Sequence, residues 1–457
     1  MRGTELMASF RISSKLLISQ TIVFLLSALF LILLALTAHA AMAIQEVKSS
    51  KGITAWLVED YSVPIITLRF DFDGGSTQDP TGKEGLANLM TGLFDEGAGD
   101  LDSNAFQARL DDSGAEMGIS EGRDGISGAM RTLAERKDEA FELLRLAIEK
   151  PRFDQAPIDR IRGQILAGIV AGERDPNTAA ETKWLRAVYG NHPYSRPDEG
   201  TRESLESITA DDLRAFHKAT FALSGLHVAV VGAIDAKTLQ SELDKLFGGL
   251  PLQQSLRPVA DTELKLDQQL QVEYDLPQTS VQLAFPGIKR SSPEFYAATL
   301  MNEILGGGTF TSRLFEEVRE KRGLAYSVDS GLSNREHASA LVVTTATRSD
   351  RVAETLAVMR ETIKRMADEG PTEAELAAAK KYMVGAYAIN NLDSSGAIAG
   401  TLVDLQINKL GIDYMARRSD LINGVTLDEV KAVAKKLLSA NPAVMIVGPA
   451  LADGSKG

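Results

Sequence analysis

Apolar and other residues alternate along Ile53–Glu59 and Val63–Phe72, the two-residue period of strands with one buried face. Gly74-Gly75 ends the alternation. Apolar residues then fall at Leu86, Leu89, Met90, Leu93 and Phe94, one face of a helix over about 83–94. A second helix is predicted over Asn104–Ser113, with Asn104 as candidate cap. Strands near 115–120 and 125–132 follow, then helices near 135–149 and 155–173. A helix at Ala210–Ala219, a strand at Leu226–Val231 and a helix at Asp235–Leu246 close this part of the chain.

Leu250–Asp261 is polar, bears proline and has no periodicity, which marks a linker. The order then begins again. Leu270–Asp275 and Ser280–Phe285 read as strands, Glu294–Leu305 and Ser312–Glu320 as helices, and Leu324–Ser330 and Ala340–Arg348 as strands. Helices near 350–369 and 371–392 follow, and Ala443–Val447 is a final strand. LHVAVVG (226–232) and AVMIVG (443–448) hold the same place in each half. The pattern predicts an internally duplicated α+β protein of two homologous domains, each a mostly antiparallel sheet with helices on one face. Their bounds are 44–250 and 262–450, joined by the linker 251–261.

At 457 residues the chain is long enough for two such domains. Its apolar (44%) and charged (24%) fractions are those of a globular protein, and the net charge of −13 argues against a nucleic-acid or anionic-membrane surface. With no cysteine, disulfides and thiolate metal sites are excluded. Arg2, Arg11 and Lys15 precede an apolar run from Thr21 to Ala38, and small residues follow at Ala38, Ala40, Ala41 and Ala43. This is the layout of a signal peptide over 1–43 and predicts a periplasmic protein. The run is also about long enough to span a bilayer, so an uncleaved anchor is the alternative.

Three segments carry a resemblance: GSTQDPTGKEGLANL (75–89), YGNHPYSRP (189–197) and LGGGTFTSRLFEEVREKRGLAYSV (305–328). With the duplicated layout they make the chain resemble the pitrilysin/insulinase family of zinc peptidases, in its mitochondrial-processing-peptidase-like branch, over roughly residues 46–450. The family carries H-x-x-E-H on the helix that matches EGLANLMTGLF (84–94). Two imidazoles four apart on one helix face hold zinc, and the carboxylate between them takes a proton from the bound water. Here those positions read Asn88, Thr91 and Gly92, and the family's third ligand, a glutamate, matches Gly168. The amide, hydroxyl and hydrogens cannot do this chemistry. The histidines after the export segment are His192, His217, His227 and His337, and no two have helical spacing. Each reads as structural, and no metal is expected in this chain.

Active relatives hold substrate and stabilise the tetrahedral intermediate with an arginine and a tyrosine seven residues apart. The matching residues here are Arg319 and Tyr326. Gly323 is the predicted helix stop between them, which puts Arg319 at a helix end and Tyr326 on the next strand. Lys321 and Arg322 are expected to be structural. Gly306, Gly307 and Gly308 match a substrate-contacting loop of the family and serve equally well as a helix stop. The family's peptide-pairing edge strand matches 115–120, around Gly118. The resemblance therefore implies a non-catalytic subunit of a heterodimeric periplasmic zinc peptidase. A homologous H-x-x-E-H partner would supply the zinc, and peptides or unfolded polypeptides would be the substrates. The alternative is a structural or peptide-binding scaffold of the same fold. No nucleic acid is expected, and no membrane contact beyond an uncleaved anchor.

Overall fold

The computed structural model describes residues 43–308 and 310–450, so the predicted export segment lies outside the described residues apart from Ala43. The first half contains strands β1 (Gln45–Lys48), β2 (Thr54–Glu59), β3 (Ile65–Asp73), a short ribbon of β4 (Gly97–Ala98) and β5 (Leu101–Asp102), β6 (Glu116–Glu121), β7 (Gly125–Leu133) and β8 (Leu226–Gly232). Its helices are α1 (Leu86–Thr91), α2 (Ser103–Ser113), α3 (Lys137–Glu149), α4 (Gln155–Gly172), α5 (Pro176–Tyr189), α6 (Arg202–Ser207), α7 (Ala210–Thr220) and α8 (Ala236–Phe247). The six-stranded sheet runs β1-β2-β8-β3-β7-β6, antiparallel except for β2 with β8.

Alternation in β3 buries Ile66, Leu68, Phe70 and Phe72 on the side of the helices, where Phe72 meets Phe221 at 4.5 Å between ring centres. Asp79 caps α1, its two carboxylate oxygens accepting from the amides of Gly85 (2.8 Å) and Ala87 (2.9 Å). The cap of α2 is Asp102, not the predicted Asn104: its carboxylate accepts from Ala105 N at 2.9 Å, which starts the helix one residue earlier.

The second half contains β9 (Gln269–Glu273), β10 (Gln278–Pro286), β11 (Ala325–Asn334), β12 (Ser339–Arg348) and β13 (Ala443–Gly448). Its helices are α9 (Phe295–Asn302), α10 (Val352–Glu369), α11 (Glu373–Asn391), α12 (Ser395–Ile407), α13 (Tyr414–Asn423) and α14 (Leu427–Leu438). The sheet order is β11-β12-β10-β13-β9, with only β13 and β9 parallel. Placed on the first sheet, β9, β13, β10, β12 and β11 correspond to β2, β8, β3, β7 and β6. The predicted duplication is therefore present at the level of strand order.

Each half has its own core between one sheet face and its helices. The opposite faces are not open. Helix α5 of the first half lays Ala180, Trp184 and Val188 on Ala284, Ala443, Met445 and Val447 of the second sheet. Helix α12 of the second half lies on β3 and β8 of the first. There Ser395 Oγ meets Thr67 Oγ1 at 2.8 Å, and Gln406 bonds both the amide and the carbonyl of Val228. Helices on a single face thus describe each half's own core, and the exchanged helices supply the second layer. The stretch 251–261 has no helix or strand, but Gln254 Nε2 holds it to Thr220 O and Asp73 O, and Arg257 N to Gln78 Oε1.

Candidate functional site

On α1, Asn88 Nδ2 donates to Glu121 Oε1 at 2.6 Å and Thr91 Oγ1 to Glu121 Oε2 at 3.0 Å. One carboxylate from β6 therefore binds the side chains at two of the positions where the zinc chemistry would be. Gly92 ends the helix, and a Cβ there would lie 3.0 Å from Ile161 on α4. Gly168 lies two turns beyond Ile161, and its Cβ position has nothing within 4 Å. An amide, a hydroxyl and two glycines offer no nitrogen or carboxylate ligand, so these residues do not fit a zinc ion. Sequence reading missed Glu121, which no motif marks. It is found only once β6 is laid beside α1.

The histidines are tied into structure. His217 is half-buried, contacts the Ile148 carbonyl at 2.7 Å and stacks on Phe221, and desolvation lowers its pKa. His192 accepts from Tyr194 N at Nδ1 and contacts Ala260 O at Nε2. His227 faces Asp73 at 3.2 Å where β8 begins.

Arg319 and Tyr326 are brought together. Phe315–Glu320 forms a wide helical turn that ends as predicted at Gly323, whose φ is +60°. Gly323 N bonds Arg319 O at 2.8 Å, and Leu324 N bonds Val318 O at 2.9 Å, a left-handed closure that glycine enters without a Cβ penalty. The chain then enters β11, the sheet edge, through an irregularity between Ala325 and Val328. Extra residues on an edge strand re-aim side chains. Thr347 Oγ1 on Leu324 O and Thr345 Oγ1 on Ser327 O, both 2.7 Å, hold this entry in place. The result is a Tyr326 side chain that is 85% exposed. The Arg319 guanidinium carbon lies 5.6 Å from the Tyr326 ring centre and 4.8 Å from that of Phe315. Arg319 Nη1 also bonds Glu320 Oε1 at 2.7 Å. The Tyr326 hydroxyl makes no hydrogen bond among the described residues.

The neighbouring cations are occupied, as expected. Arg322, Lys321 and Arg365 all bond Glu317. Burial alone would raise the Glu317 carboxyl, but these three partners outweigh it and pull it down to about 2.

Gly306–Gly308 continue α9 as a wide turn, closed by Gly308 N on Glu303 O at 2.9 Å. None of the three has positive φ. They permit close packing instead. A Cβ on Gly306 would lie 2.5 Å from Ser330 Oγ and 2.8 Å from Ser330 N. Gly306 and Gly308 are buried and Gly307 alone is exposed. Phe310 follows, 73% exposed, with its ring 5.3 Å from Phe315. Phe310 and Phe315 were not picked out from sequence, although Phe315 stands one helical turn before Arg319. Gly118 lies on β6, an edge strand paired only with β7, and its Cβ position is open.

A cleft of about 920 Å³ runs between the halves, lined by Arg123, Glu181, Asp198, Gln282, Asp329 and Arg335 among others. Arg123 pairs with Asp198 at 2.9 Å. Asp329 comes from the strand that carries Tyr326, but neither Arg319 nor Tyr326 lines this cleft.

The insulinase (peptidase family M16) pattern matches residues 56–202, and the peptidase M16 inactive domain matches 207–383. An uncharacterized zinc protease of Mycobacterium bovis is 32% identical over 65% of this chain and 67% of its own. A non-peptidase homolog of Helicobacter pylori is 26% identical, covering 77% of this chain and 81% of its own. The crystal structure of a peptidase M16 inactive domain from Pseudomonas fluorescens superposes with a TM-score of 0.83 at 29% identity, over 90% of this chain and all of that one. The chain therefore belongs to the insulinase family of peptidases, M16, with the family's inactive domain in its second half.

Proposed function

We propose that this chain is the non-catalytic subunit of a periplasmic heterodimeric zinc peptidase. A homologous partner bearing H-x-x-E-H supplies the metal and the general base. This chain supplies Arg319 and Tyr326, which bind the substrate backbone and stabilise the oxyanion in the partner's site. Gly307 and the β6 edge at Gly118 contact the peptide. The observation that carries this reading is the Tyr326 side chain, 85% exposed and stacked beside Arg319 on a chain whose own zinc positions read Asn88, Thr91 and Gly92. A phenol held in water has no structural use, whereas a second surface placed over it would make it a directed donor.

The ion pair of Arg319 with Glu320 favours a second reading, a scaffold in which Arg319 is a solvated surface charge. Peptide cleavage by this chain, by the partner and by their mixture separates the two. Activity is expected only in the mixture. Arg319→Ala or Tyr326→Phe should lower it about 10²–10³-fold, the usual effect of losing one oxyanion donor. Full activity with both variants would leave only the scaffold.

A further inference from the structure

Away from the Arg319–Tyr326 edge, three ligating side chains meet where the halves join. Asp124 stands in the turn between β6 and β7 of the first half. Glu336 and His337 stand at the tip of the β11–β12 hairpin of the second. One ligand atom of each lies within 4.8 Å of the other two. These three are also the one group of its kind among the described residues.

The donors are already oriented. Asp124 Oδ2 accepts from the Tyr194 hydroxyl at 2.6 Å and from Glu336 N at 3.3 Å. Its other oxygen, Oδ1, is buried with no hydrogen-bond partner. Such an atom costs free energy unless something positive meets it. His337 Nδ1 faces Asp261 Oδ1 at 3.4 Å, and Lys289 holds that carboxylate from its other side. A carboxylate on one ring nitrogen fixes the imidazole and turns the other nitrogen outward, the arrangement found behind metal-binding histidines. Here the outward nitrogen, Nε2, lies 4.0 Å from Glu336 Oε2. His192, with its ring 6.3 Å from that of His337, takes no part because both its nitrogens are engaged.

The geometry points to a divalent transition-metal site, for Zn²⁺ foremost, formed by Asp124 Oδ1, the Glu336 carboxylate and His337 Nε2, which clamps the two halves together. One imidazole and two carboxylates suit a borderline ion, and among divalent ions zinc ranks high for such donors. Tetrahedral zinc keeps its ligand atoms roughly 3.3 Å apart. The ligand atoms, all within 4.8 Å of one another, therefore have to close by about 1.5 Å at most. The site is separate from the hydrolytic reading, because Glu336 and His337 stand at the tip of the β11–β12 hairpin, ten and eleven residues beyond Tyr326 at the other end of β11, and because it joins halves of the same chain.

The test uses the untagged chain, freed of metal by a chelator and titrated with ZnCl₂ alone. Calorimetry gives the stoichiometry, and thermal unfolding gives the effect on stability. One zinc per chain and a raised melting temperature are expected. Glu336→Gln, a surface change that leaves the fold intact, and His337→Gln should each weaken binding at least tenfold. Glu121→Gln, at the degenerate helix site, should leave it unchanged. No saturable binding, zinc retained in both junction variants, or zinc lost with Glu121→Gln would each overturn the proposal.

Discussion

At the scale of single residues, Glu317 shows how little of the Arg319 turn was open to choice. Its carboxylate is held by Arg322, Lys321 and Arg365, which leaves Arg319 as the cation of that turn facing Tyr326. Because the folded value is pulled down to about 2, the unfolded chain binds the proton more readily between pH 2 and the ordinary carboxylate range. This contribution is fully present above about pH 5 and is lost as the pH falls toward 2, on the order of 1–2 kcal/mol. Thermal unfolding from pH 7 to pH 3 should show the loss, and Glu317→Gln should flatten that part of the curve. The glycines give a second residue-scale test. Gly306→Ala forces a Cβ to 2.5 Å from Ser330 Oγ and should cost about 1–3 kcal/mol in urea unfolding. Gly118→Ala meets nothing within 4 Å and should change stability by less than about 0.5 kcal/mol. Sequence alone matched both to substrate-contacting parts of the family, with a helix stop as the equal alternative at Gly306. Their difference comes from what packs against each one.

At the scale of elements, the strands were legible because β3, β10 and β12 carry apolar residues at every second position toward their own half's core, as Ile66, Leu68, Phe70 and Phe72 do in β3. The helices α3, α4, α7, α8, α10 and α11 were legible for the same reason, through their apolar stripes. Helices α5, α6, α12 and α13 were not. Helix α12, SGAIAGTLVDLQI, has small and apolar residues around most of its circumference, so it shows no stripe. Its partner surface is the far side of a sheet more than 150 residues away in sequence, as the Val228–Gln406 separation of 178 shows. Gln406 acts there almost as a strand residue, with Oε1 accepting from Val228 N at 3.3 Å and Nε2 donating to Val228 O at 2.8 Å. Gln406→Ala leaves both backbone groups of a buried residue unpaired and should cost about 1–3 kcal/mol, read from the urea midpoint.

At the scale of the whole molecule, the exchange of α5 and α12 makes each half a cover for the other. Residues 44–250 expressed alone should therefore be poorly soluble, with Ala229 and Val231 of the uncovered sheet face open to water. Co-expression with 262–450 should restore a soluble complex that purifies together, and two halves that behave independently would contradict this. The sequence by itself determined the duplicated order of strands and helices, because burial of one face leaves a period along the chain. It also determined that no imidazole pair stands on α1, and that Arg319 and Tyr326 flank a glycine turn. Only the tertiary structure decided which far-apart groups meet: Glu121 on Asn88 and Thr91, Asp124 beside His337, and each half's helix on the other's sheet. Those contacts arise from sheet order and chain crossing. Neither leaves a local period, so a residue's neighbours along the chain carry no trace of its neighbours in space.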